Sequence, residues 1–79
     1  MPDPRSPRPI EDHCEELPES CRKRWAELLA ERRTARREDD REEAVRLVGF
    51  GLGFVKALYL TGQISITARD DLQAALISA

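Results

Sequence analysis

The chain has 79 residues, which is enough for one small domain and too few for several. Apolar residues make up 41% of the sequence, charged residues make up 35%, and the formal net charge at pH 7 is −2. Only nine uncharged residues separate Arg46 from Lys56 in the most apolar stretch, whereas a bilayer-spanning helix needs about 20. The first residues lack the apolar segment of a secretory signal. We therefore predict a small acidic cytoplasmic protein with no membrane partner.

The charges are segregated along the chain. Residues 1–21 carry a net charge of −4, and residues 38–43 again carry −4. Between them, residues 22–37 hold seven basic and two acidic side chains, a net charge of +5. A basic segment of this kind is typical of a phosphate-contacting surface or of a solvated helix paired with nearby acids.

Four of the five prolines fall in residues 1–9, so we predict a Pro-rich flexible arm there and a single small helical domain over residues 10–79. Ile10, Cys14 and Leu17 follow the spacing of one helical face. This pattern predicts a short N-terminal helix that ends at Pro18, because the residue before a proline disfavours the helical conformation.

A second helix is predicted over residues 18–36. Its apolar side chains fall within an arc of about 120°, the width of an ordinary amphipathic stripe. The members of this stripe are Cys21, Trp25, Leu28, Leu29 and Ala35.

Residues 36–43 contain no apolar side chain and neither Gly nor Pro. Asp40 followed by Glu43, or Asp39 followed by Glu42, resembles a capping box that opens the next helix. We therefore predict a turn near residues 37–40 and a helical hairpin. A continuous helix over residues 18–61 is the alternative that this pattern leaves open.

The next helix, predicted over residues 40–61, is apolar over an arc of about 220°. A chain of this length has too few other elements to cover so wide a surface. We therefore predict a homodimer with this helix at its centre. Its interface is predicted to contain Leu47, Phe50, Gly51, Phe54 and Leu58.

Gly49, Gly51 and Gly53 interrupt this apolar helix, each at a cost of about 1 kcal/mol relative to alanine. A phosphate-binding loop needs a preceding strand and a Lys-Ser/Thr pair, which this segment lacks. Close helix packing is the better interpretation. Gly51 alone lies inside the apolar arc, so we predict that it is the glycine against which another helix packs.

Gly62 is suited to end this helix, and Ile64 and Ile66 are predicted to anchor the following loop. Thr67, with Asp70 three residues later, resembles a capping box for a short C-terminal helix. Leu72, Ala75 and Leu76 are its predicted buried face.

The sequence offers few groups for catalysis or metal binding. His13, Cys14 and Cys21 lack the Cys-x2–4-Cys spacing of a structural zinc site, and no nucleophile lies at a motif spacing from the single histidine. In a cytoplasmic protein we expect the two cysteines to be buried thiols, not a disulfide. We therefore predict no catalytic residue, no cofactor and no metal.

These observations predict an all-α fold: a helical hairpin with short N-terminal and C-terminal helices, assembled as a dimeric bundle. The predicted function is that of a non-catalytic protein–protein interaction protein, such as a small adaptor, inhibitor or accessory regulator with an unidentified protein partner. The alternative is a nucleic-acid-binding regulator that uses the basic helix 22–37. Its predicted phosphate contacts are Arg32, Arg33, Arg36 and Arg37.

Overall fold

The computed structural model describes residues 12–79, which form three α-helices and no strand. Helix α1 spans Glu19–Arg37, α2 spans Arg41–Leu60 and α3 spans Ile66–Ser78. The all-α prediction is confirmed for this part of the chain, and the predicted bounds of α1 and α2 differ from the observed ones by one residue. The predicted flexible arm over residues 1–9 lies outside the described residues, as does Ile10.

The junction between α1 and α2 is set by two local devices. Asp39 adopts a left-handed conformation (φ 54°), and the amide of Asp40 donates to the carbonyl oxygen of Ala35 at 2.9 Å. This is the pattern of a Schellman motif, which ends α1. Asp40 then caps α2, since its carboxylate accepts from the amide of Glu43. Helix α1 ends at Arg37 and α2 begins at Arg41, so residues 18–61 do not form one continuous helix.

Asp39 is the only described residue other than glycine with positive φ. We expect Asp39→Gly to stabilise the fold by about 1 kcal/mol, because glycine adopts this conformation without steric cost. Little is lost with the carboxylate, whose 3.8 Å contact with Arg41 is almost fully exposed. Urea unfolding followed by circular dichroism measures the change. Asp39→Ala is the control, because it removes the same carboxylate and keeps the strain; equal stability of the two variants would contradict the explanation.

Helix α2 ends in a second Schellman motif at the predicted glycine. Gly62 has φ 76°, and the amide of Gln63 donates to the carbonyl oxygen of Leu58 at 2.9 Å. The predicted cap of α3 at Thr67 is wrong, because the Ser65 hydroxyl accepts from the amide of Ala68 and α3 begins at Ile66. The earlier start leaves Ile66 on the solvent side, and only Ile64 anchors the loop in the core.

The predicted short N-terminal helix is not present in residues 12–17, which form a turn. The Asp12 carboxylate accepts from the amide of Cys14 at 3.0 Å, a local bond that competes with helix formation. The guanidinium of Arg22 then donates to the carbonyl oxygens of Glu15 and Leu17. The turn is thereby tied to α1, and Leu17 is placed in the core.

All three helices and the N-terminal turn contribute to one core. The predicted stripe on α1 is confirmed, with Cys21 and Leu29 at its partly buried edge. On α3, Leu72 and Leu76 are buried as predicted, and Ala75 is half-buried. The buried apolar residues are Leu17, Trp25, Leu28, Ala35, Ala44, Leu47, Val55, Leu58, Ile64, Ala68, Leu72 and Leu76.

Helix α2 is the central element, because both α1 and α3 pack against it. The C-terminal ends of α1 and α3 lie together, since Arg36 donates to the carbonyl oxygens of Ser78 and Ala79 at 2.9 and 2.7 Å. The guanidinium thereby satisfies carbonyl groups that a helix end leaves unpaired, and it complements the negative end of the helix dipole.

Candidate interaction surfaces

Three of the five predicted interface residues lie in the core of the chain itself. Leu47 and Leu58 are buried, and so is Gly51. A Cβ atom at Gly51 would lie 2.3 Å from a δ-carbon of Leu76 and 3.0 Å from one of Leu28. Gly51 is thus a position where side chains of α1 and α3 pack directly against the backbone of α2, which is the packing role that its place in the apolar arc predicted.

The other two predicted interface residues belong to an aromatic row that runs from the core to the surface. The Trp25 ring is stacked on Phe54 with centroids 6.2 Å apart, and Phe54 is stacked on Phe50 at 6.4 Å. The guanidinium of Arg24 lies 5.3 Å from the centroid of Phe50. Phe54 is partly buried, while Phe50 is 48% exposed. These two rings are therefore the predicted interface residues that a second molecule can reach.

The solvent side of α2, which we call the outer face, contains Phe50, Gly49 and Gly53. A Cβ atom at Gly49 or Gly53 would meet no atom within 4 Å, so nothing in the described chain requires glycine there. The remaining members of the outer face are Arg46, Ala57 and Leu60, all of them exposed.

The basic side chains of α1 do not form one patch. Arg22 is bound to the N-terminal turn, and Arg24 lies near Glu27 and Glu31 as well as over Phe50. Arg36 binds the C-terminal end of α3, and a terminal nitrogen of Arg32 lies 3.5 Å from the Ile77 carbonyl oxygen. Of the four predicted phosphate contacts, Arg33 and Arg37 are the two that form no hydrogen bond to α3 within residues 12–79.

The N-terminal turn is joined to α3 by a polar cluster. Nε2 of His13 lies 2.6 Å from a carboxylate oxygen of Asp71, and its Nδ1 lies 2.7 Å from a carboxylate oxygen of Glu16. The other Glu16 oxygen accepts from the amide of Ser65 at 3.2 Å. Because both ring nitrogens face carboxylates, the doubly protonated imidazolium fits this site best.

The electrostatics of this cluster follow from its hydrogen bonds. The bond to Asp71, together with the weaker effect of Glu16, raises the pKa of His13. Hydrogen bonds from Ser65, and secondarily from His13, lower the pKa of Glu16. Asp71 is buried, with 4% of its surface exposed. The cluster of His13, Glu16 and Asp71, which we call the clasp, therefore joins the N-terminal turn to α3 through charged groups.

Sequence reasoning missed this clasp, since it assigned no partner to His13 and no role to Asp71. A signal was present: Asp71 lies three residues after Ala68 and four before Ala75, on the inner side of α3. An acid at such a position needs a partner, and His13 is the single histidine of the chain.

Cys14 and Cys21 are free thiols, each partly buried. The hydrogen bond between Cys14 and Asp12 raises the pKa of the Cys14 thiol, with desolvation acting in the same direction. Cys14 is therefore held as the thiol, which is the less nucleophilic form.

Neither a metal-binding cluster nor a membrane-spanning helix is found in residues 12–79. No group of three or more His, Cys, Asp or Glu side chains in this range could hold a metal ion. None of the helices there is long and apolar enough to cross a bilayer.

Comparisons with known proteins found no relative of this chain. The chain matches no protein-family model, and no similar protein is found among curated sequences or solved structures.

Proposed function

We propose that this chain is a non-catalytic protein–protein interaction protein whose α1–α2 hairpin forms a homodimeric helical bundle through the outer face of α2. The observation that carries the proposal is the half-exposed Phe50 beside Gly49 and Gly53, two helix-interior glycines that no contact within residues 12–79 requires. Each such glycine costs about 1 kcal/mol relative to alanine. A second helix packed closely against this surface offsets that cost.

The outer face has the composition of a close helix–helix contact. Glycine and alanine at residues 49, 53 and 57 recur every four residues, so they form one smooth strip along α2. Phe50 and Leu60 flank this strip and supply apolar area. Around a two-fold axis each Phe50 ring packs beside the partner's strip, so the same residues serve both subunits. Phe54 supports Phe50 from below, and the ring pair forms the aromatic anchor of the interface.

We expect the wild-type protein to sediment as a dimer at micromolar concentration and Phe50→Glu to sediment as a monomer. The substitution removes the aromatic anchor and places a charge in the contact, which weakens dimerisation by about 30-fold or more. Sedimentation equilibrium measures the change, and circular dichroism verifies that helix content is kept.

Ile66→Glu is the matched control for this experiment. Ile66 is 53% exposed, close to the value for Phe50, and it lies in the first turn of α3, away from the outer face. If the outer face is the interface, Ile66→Glu sediments with the same dimeric mass as the wild-type protein. A monomeric wild-type protein at 100 µM, or equal effects of the two substitutions, would overturn the proposal.

A further inference from the structure

A groove separates α1 from α3 on the side of the molecule away from α2. Part of it is a cavity of about 410 Å³ whose floor is formed by Trp25, Ala26 and Leu29 of α1 and by Leu72 and Ala75 of α3. Asp12 and Cys14 of the N-terminal turn line the same cavity, and Arg33 borders it as well. This part of the groove is apolar, and its volume suits two or three aliphatic side chains.

A second cavity of about 600 Å³ continues the groove toward the C-terminal end of α1. Its lining contains Ala30, Arg33, Thr34, Arg36 and Arg37 of α1, together with Ala79. Arg33 borders both cavities, so they form one surface feature, which we call the α1–α3 groove. From Ala26 to Arg37 it follows α1 for twelve residues, a rise of about 16 Å over three helical turns.

The two ends of the groove differ in chemistry. One end has the apolar floor, and the other is surrounded by three guanidinium groups. Within residues 12–79 no Asp or Glu side chain is paired with any of these three. Arg36 donates to the carbonyl oxygens of Ser78 and Ala79, Arg37 donates to the Thr34 hydroxyl, and Arg33 has no partner among the described residues. The basic end therefore lacks its carboxylate complement.

We infer that the α1–α3 groove binds an amphipathic helix of a protein partner, with aliphatic side chains on the apolar floor and acidic side chains at Arg33 and Arg37. This inference rests on the proposed function as an interaction protein, but it uses a surface other than the outer face of α2. A helix in this groove completes a four-helix arrangement, with anchors at i, i+4 and i+7 along its apolar side.

Charge also fixes the direction of the bound helix. The C-terminal ends of α1 and α3 meet at the basic end of the groove. A helix antiparallel to both places its N-terminal turn there, with the positive end of its dipole beside the negative ends of α1 and α3. Acidic residues in that first turn stabilise the bound helix and pair with the arginines at the same time.

The groove is less suited to a nucleic acid than to an acidic helix. Trp25, the aromatic ring that lines it, is only 2% exposed and offers no face on which a base can stack. The floor of Leu29, Leu72 and Ala75 presents no hydrogen-bonding group to a sugar or phosphate, and Asp12 adds a negative charge to the rim.

Trp25 provides the readout for a direct test because it is the only tryptophan of the chain. The probe is a 15-residue helical peptide without tryptophan, with three Glu residues in its first turn and Leu at i, i+4 and i+7 beyond it. We expect saturable changes in Trp25 fluorescence at micromolar peptide, weakening as salt is raised. A peptide with Lys in place of Glu is expected not to bind.

Two variants test the two ends of the groove. Arg33→Glu is expected to weaken peptide binding about tenfold or more, whereas Lys56→Glu, which makes the same charge change on exposed α2 surface, leaves it unchanged. Ala75→Phe fills the apolar end and is expected to abolish binding with helix content kept. The monomeric Phe50→Glu variant is expected to bind the peptide normally, so failure of the dimer and failure of the groove are separate results.

Three outcomes overturn the inference. They are absence of a fluorescence change at millimolar peptide, binding that neither Arg33→Glu nor Ala75→Phe alters, and binding of a 20-nucleotide single strand through Arg33 without binding of the peptide. The last result assigns the basic end of the groove to nucleic acid.

Discussion

Gly51→Leu is expected to destabilise the fold by about 3 kcal/mol or more, which is a large part of the stability of a domain this small. Already the Cβ atom of the new side chain lies 2.3 Å from Leu76 and 3.0 Å from Leu28. Both leucines are fully buried, so neither can move without displacing its own neighbours. The gain in helix propensity is about 1 kcal/mol and does not offset this overlap.

Gly49→Ala is the natural control for this experiment. The added methyl group meets no atom of the described chain within 4 Å, so the substitution gains about 1 kcal/mol of helix propensity within the protomer. Urea unfolding of Phe50→Glu combined with each substitution measures both effects without a contribution from dimerisation. If Gly49→Ala lowers the free energy of unfolding more than Gly51→Leu does, the buried side of α2 is assigned wrongly.

His13→Ala is expected to destabilise the fold by about 2 kcal/mol, because it removes a charge-assisted hydrogen bond to the buried Asp71. The substitution also removes the side chain that joins Glu16 to Asp71, which weakens the contact between the N-terminal turn and α3. Urea unfolding at pH 6 measures the loss.

The same residue makes stability depend on pH in a defined direction. The pKa of His13 is raised in the folded state. Its contribution to the free energy of unfolding is therefore fully present below the pKa of an unfolded-state histidine, about 6.5, and is lost as pH rises through the folded-state pKa. The pKa of Glu16 is lowered in the folded state. Its contribution to the free energy of unfolding is therefore present above its unfolded-state pKa and is lost as pH falls through its folded-state pKa. The clasp is therefore strongest in mildly acidic solution.

Two measurements check this dependence. Because the chain has one histidine, its NMR titration reports the folded pKa directly, and Asp71→Asn is expected to lower that pKa. Unfolding free energies from pH 5.5 to 8 are expected to fall for the wild type and to stay nearly constant for His13→Ala. A wild-type profile that rises over this range would contradict the role given to His13.

The helices and most of their ends could be predicted from the sequence because their causes are local. Asp40 caps α2 through an amide three residues away, and Gly62 ends it through its own backbone conformation. The apolar stripe of α1 similarly follows from helical spacing alone. Where two local signals competed, the prediction failed: Ser65 caps α3 instead of Thr67, and the Asp12 carboxylate forms a turn where apolar spacing favoured a helix.

The candidate surfaces were less predictable because they depend on which side of α2 each neighbour covers. The wide apolar arc of α2 indicated that it contacts more than one element, and Gly51 marked a position where neighbouring side chains pack against its backbone. The arc itself does not distinguish a helix of the same chain from one of a partner. Leu47, Gly51 and Leu58 are buried by α1 and α3, and this leaves Phe50 and its glycine neighbours on the surface.

The sequence by itself determined the all-α class, the positions of α1 and α2 and the buried stripe of α1, since all of these depend on residues within a few positions of one another. Only the tertiary structure decided the pairing of His13 with Asp71, the attachment of Arg36 to the end of α3, and the groove between α1 and α3. Each of these joins residues more than 40 positions apart. Contacts of that kind are set by how the helices pack around α2, and no local pattern in the chain encodes them.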